Sequence, residues 1–147
     1  MSILSMSKVR AILLAVVVAG APLSLASHAQ DLEGAVVVNV PFAFENGSQH
    51  FTAGLYTIRM ESQHVLLIRG ESTSGFAMAG IDEGIHPSET TKVVFRRYGD
   101  QYYLREVWVE GETSHTYCMP SKVEQREIAA AKTAPTAVMV AALETFR

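Results

Sequence analysis

Mainly β is the fold class this sequence predicts: an antiparallel sandwich or barrel of about eight or nine strands with one C-terminal surface helix. Three observations carry it. From Ala35 onward, apolar and polar residues alternate with period two through one short stretch after another, as half-buried strands require. Asn46-Gly47 and Gly99-Asp100 separate such stretches by turns of hairpin type. No helical period intervenes between the early strands. Parallel βαβ units are thereby disfavoured and consecutive hairpins remain.

The chain opens on a different kind of segment. Lys8 and Arg10 are the only charges before Asp31, and an apolar run follows from Ala11 to Ala19. Ser27-His28-Ala29 then places small residues three and one before a cut. This is the layout of a secretory signal peptide over residues 1–29. A retained anchor needs roughly 20 mainly apolar residues, and Gly20, Pro22 and Ser24 interrupt the run. Cleavage after Ala29 leaves a single β-rich domain, residues 30–147, with no stable membrane span and a periplasmic or secreted location. Losing Lys8 and Arg10 takes twelve basic residues to ten against fifteen acidic ones, so the net charge goes from −3 to −5. A mildly acidic domain without a basic stripe does not suit nucleic acid. Cys118 is the one cysteine. The core must therefore hold without an internal disulfide, and a buried, inert thiol is the expected state in the run Tyr117-Cys118-Met119.

The strands follow in order. Val36, Val38, Val40, Phe42 and Phe44 share one face, and Pro41 ends, bends or edges that strand because it has no N–H for the ladder. Glu45 to Ser48 forms a turn and Gln49 to Thr52 a short return. Leu55 to Met60 puts Tyr56, Ile58 and Met60 on one side. His64 to Arg69 and Ser74 to Ile81 are further strands, and Asp82 to Thr90 is a loop. Thr91 to Trp108 is a hairpin about Gly99-Asp100. Its return strand places Tyr102, Leu104, Glu106 and Trp108 on one face and Tyr103, Arg105, Val107 and Val109 on the other. Thr113 to Met119 pairs next. Ser121 fits a helix N-cap with Glu124 as capping-box partner, and Lys122 to Lys132 is rich in helix formers. Its thin apolar face puts that helix on the surface. The β-branched Thr136, Val138 and Val140 favour a last strand over a second helix.

Three runs carry a family likeness: Val40 to Phe44, Phe51 to Ile58, and Val94 to Leu104, joined by Trp108, Gly111 and Ser121 to Glu127. In these the chain resembles a group of small exported bacterial proteins, common in acidobacteria, that has no assigned function. Thr52 stands where that pattern more often has proline. The resemblance implies an exported β domain and no particular site.

The residues offer little catalytic chemistry. His50, His64, His86 and His115 lack close-spaced ligand sets. His115 and Cys118, three apart on a strand, point to opposite faces. There is no Gly-x-Ser-x-Gly elbow. Glu106 and Glu110 lie about 13 Å apart by strand rise, too far for the roughly 5–10 Å of a glycosidase pair. The expectation is a non-enzymatic binding module with no cofactor and no metal, whose partner is a small ligand or an envelope protein. Tyr98, Tyr102 and Trp108, with Arg96 beside them, are the candidate ligand-binding residues if they share an exposed face; they are core otherwise. The alternatives are an assembly partner that uses a sheet edge or the Thr136–Leu143 segment, and a hydrolase whose site forms only in three dimensions.

Overall fold

The computed structural model describes residues 34–147; the expected leader, residues 1–29, lies outside them. Ten strands and one helix occur in chain order. They are β1 (Val36–Val40), β2 (Phe44–Asn46), β3 (Gln49–Phe51), β4 (Gly54–Ser62), β5 (Val65–Gly70), β6 (Ser74–Glu83), β7 (Lys92–Tyr98), β8 (Gln101–Trp108), β9 (Ser114–Cys118), α1 (Lys122–Ala130) and β10 (Thr136–Thr145). Eight of the strands close into an antiparallel barrel in the order β8-β7-β10-β1-β4-β5-β6-β9, with β9 returning to β8. The other two, β2 and β3, form a hairpin that joins β8 through a parallel bridge at Glu45 and Tyr103. The sandwich alternative is thus resolved in favour of a barrel, and the extra strands are this short hairpin.

Period two makes the core. Val36, Val38, Val40, Ile58, Leu66, Ile68, Ala77, Ala79, Val93, Phe95, Leu104 and Cys118 all point inward and are buried. Only alternate residues can face the axis of a barrel, so the alternation read from the sequence is also the map of the interior.

One end of the interior is filled by the hairpin. The turn sits one residue later than Asn46-Gly47 suggests: Asn46 pairs with Gln49, so Gly47 and Ser48 are the loop, with Gly47 at a φ of 65°. Such a positive φ is what primed hairpin turns need at their first central position. The shift frees the Asn46 side chain, whose amide donates to the Phe76 carbonyl at 3.2 Å. Phe44 and Phe51 stack at 4.9 Å between ring centroids and meet Tyr56 edge-on. Phe44 also meets Phe95, and Phe42 lies between Phe95 and Tyr102. Edge-to-face pairs add about 0.5–1.5 kcal/mol each beyond area burial. Gly75 permits this approach, since a Cβ there would fall 2.7 Å from Phe51 Cζ.

The helix docks by charge instead of by an apolar face. Ser121 caps it by accepting from the Glu124 N–H at 3.1 Å. The reciprocal half of a capping box is replaced: the buried Glu124 carboxylate instead accepts from Arg105 Nη2. Arg105 Nη1 donates to the Cys118 carbonyl at 2.8 Å. Val123 and Ile128 stay exposed. Burial pushes the Cys118 thiol up to about 12 from 9.0, only partly opposed by Arg105.

Two outcomes are expected. Replacing Phe44 with alanine should cost about 3–5 kcal/mol in urea unfolding, and a loss under about 1 kcal/mol would show that the hairpin is not part of the core. Cys118 should resist iodoacetamide at pH 8 in the folded protein and react on unfolding. The sign of the pH effect follows from the raised thiol: stability is intact below pH 9 and declines above it, because the unfolded thiol ionises first. Tyr103, also raised by burial and then by Glu127, Glu45 and Tyr98, adds to the decline. Cys118→Ala should remove the thiol's share in a pH series of melts.

Candidate functional site

The plugged end has an open counterpart. At the opposite end β1, β4, β5, β6, β8, β9 and β10 converge on a cavity of about 440 Å³. Its floor is Val36, Ile58, Leu66 and Val107, all buried, and its walls include Met60 and Val109. These residues are in register: Val36 stands opposite Ile58, and Met60 opposite Leu66. The floor is apolar because each is the inward member of its alternation, and among the described residues no second hairpin enters at this end.

The rim is polar. Arg59, Glu112, Ser114, His115 and Arg147 lie around it. Several of these groups already have structural work. Arg59 Nη2 pairs with Glu61 at 2.9 Å, and Arg147 Nη2 donates to the Glu110 carbonyl at 2.7 Å. His115 stacks on Trp108 with centroids 3.9 Å apart, and its Nδ1 is buried without a hydrogen-bond partner. The rim can orient a bound molecule's polar end, while the floor supplies apolar contact.

The four residues singled out by sequence do not form one surface. A bulge explains it. Val94 pairs with Glu106 but Phe95 pairs with Leu104, so Arg105 is an extra residue on β8. A bulge reverses the alternation beyond it. Tyr102 therefore faces inward, stacked on Phe42 at 4.0 Å with the Arg97 guanidinium 5.5 Å from its ring. Glu106 and Trp108 face outward. Val107 and Val109 face inward, as the alternation beyond the bulge requires, and line the cavity. Tyr98 is on the outer face at the far end of the hairpin, 5.8 Å from the Tyr103 ring.

Trp108 is half-buried and held by its neighbours. Its register neighbours are Lys92 on β7 and His115 on β9. His115 covers one ring face, Lys92 Nζ lies 5.8 Å from the ring centroid, and Nε1 donates to Glu106 at 2.8 Å. Arg96 contacts the same Glu106 at 3.5 Å. Trp108 and Arg96 thus share a shallow outer groove with His86, Pro87 and Met139. The indole ring is held there as part of the wall.

The mouth residues went unnoticed in the sequence because nothing local marks them. Met60 and Val109 are inward positions at the open ends of their strands and the rim groups lie beside them, which becomes visible only once strand order is known. Comparison with protein-family models, with curated proteins and with solved structures gives no match, so the site is read from its own geometry. Among the described residues, no group of three or more histidine, cysteine or carboxylate side chains is placed to hold a metal ion.

The Arg105–Glu124 pair is the polar link most sensitive to change. Glu124→Ala leaves a partly buried guanidinium without its partner and should cost about 3–5 kcal/mol, read as a drop in the urea midpoint. A change below about 1 kcal/mol would show that the helix is not held by this pair.

Proposed function

We propose that this chain is an exported, non-enzymatic binding module that holds one small, mainly apolar molecule in the open mouth of its barrel. The observation that carries the proposal is the asymmetry of the interior: aromatic rings close one end, and a cavity of about 440 Å³ with an apolar floor and a polar rim remains at the other. Eight-stranded barrels have interiors that side chains just fill or that hold one small ligand. A cavity of this size and lining is of the ligand-binding kind. Binding is favoured over catalysis because Arg59 and Arg147 are committed to Glu61 and the Glu110 carbonyl, and His115 is packed on Trp108. The leader-like order of Lys8, Arg10, the apolar run and Ala29 supports export.

The test uses anilinonaphthalene sulfonate, a small amphiphilic fluorophore. The folded protein should bind it at one site, with a blue-shifted emission. Val109→Trp places bulk at the mouth wall without entering the plug, and should weaken binding tenfold or more while leaving the urea midpoint nearly unchanged. Absence of binding by the unaltered protein, or equal binding by the Trp variant, would overturn the proposal.

A further inference from the structure

The wall of the barrel has two seams at its plugged end, where neighbouring strands part. The first lies between β8 and β6. There β9 pairs with β8 only over Glu106–Trp108 and with β6 only over Ala79–Glu83. The β2–β3 hairpin fills what β9 leaves open, bridging to β8 at Tyr103 and to β6 through Asn46 and the Phe76 carbonyl.

The second seam lies between β10 and β1. Val36, Val37 and Val38 stand opposite Thr145, Glu144 and Ala142. Beyond Val38, β1 stays with β4 as far as Val40 and then reaches Pro41. β10 runs on through Thr136–Ala141, paired with β7. Among the described residues no strand pairs with the other edge of that stretch. The Ala142 N–H donates to the Thr91 carbonyl on the β7 side. By strand alternation, the backbone groups of Ala137, Met139 and Ala141 face the open seam. Phe42 fills the seam from inside, against Phe95 and Tyr102. On the outside Ala137, Met139 and Ala141 are exposed, Met139 at 64%.

We propose that a second copy of this chain occupies this seam, its own Thr136–Val140 pairing antiparallel with the first about a two-fold axis. The segment Thr136 to Leu143 holds no charge and no proline, so it lacks the devices that keep sheet edges apart. Its sequence is complementary to itself. In the register centred on Val138, Met139 of each copy stands opposite Ala137 of the other, a long side chain over a short one. The backbone groups of Ala137 and Met139 then face each other across the axis. An isologous contact of this kind closes on itself and stops at two copies.

The test is the mass of the purified protein by sedimentation equilibrium across a concentration series, beside hydrogen exchange. The unaltered protein should be a concentration-dependent dimer, and the amides of Ala137 and Met139 should exchange at least tenfold more slowly in the dimer than at dilutions where the monomer prevails. Met139→Lys should shift the protein to monomer. A protein that is monomeric at all concentrations overturns the proposal. So does a dimer in which those two amides stay unprotected, a readout that needs no variant. Retention of the dimer by a folded Met139→Lys protein also overturns it.

Discussion

The aromatic plug of Phe42, Phe44, Phe51, Tyr56 and Phe95 decides which parts of this barrel are solid and which are open. A ring of eight strands has a fixed girth, so its interior must be filled along its length by inward side chains or left hollow. Over the middle, valines, isoleucines and alanines suffice. At one end the stacked rings of Phe44 and Phe51, delivered by a hairpin that leaves the wall and returns, take up the remaining space. At the other end no such insert occurs among the described residues, and the cavity over Val36, Ile58, Leu66 and Val107 results. The cavity is therefore a consequence of where the chain spends its aromatics.

Much of the fold was legible because alternation is a local property. Val36, Val38, Val40, Phe42 and Phe44 were read as one face and are all directed inward. Tyr56, Ile58 and Met60 likewise keep one side of β4. Gly99-Asp100 closes β7 and β8, with Tyr98 opposite Gln101 as the two-residue loop requires. Pro41 ends the β1 ladder for the reason that proline must. The one helix among the described residues begins after its Ser121 cap. The last segment is a strand, as its β-branched residues indicated.

What could not be read depended on partners distant in sequence. The bulge at Arg105 leaves no local trace, yet it reverses every side chain from there to Val109 and breaks up the expected aromatic surface. Arg105 itself is turned toward Glu124, nineteen residues on, and a strand residue bonded to a helix carboxylate cannot be inferred from either segment. The pairing of Glu124 with that guanidinium replaced the expected capping box. The mouth of the barrel is assembled from seven strands, so it emerges only when strand order is known. The open stretch of sheet edge along Thr136–Ala141 required knowing that β1 and β10 diverge after Val38.

The most direct test of the plug-and-mouth account is a nuclear Overhauser spectrum of the protein with labelled phenylalanine, tyrosine and valine. The account predicts cross-peaks from the Phe44 ring to the rings of Phe51, Tyr56 and Phe95. It also predicts magnetisation transfer from water to the mouth methyls of Val109 and not to those of Val40. A Phe44 ring without contacts to Phe95, or a Val40 as wet as Val109, would contradict it.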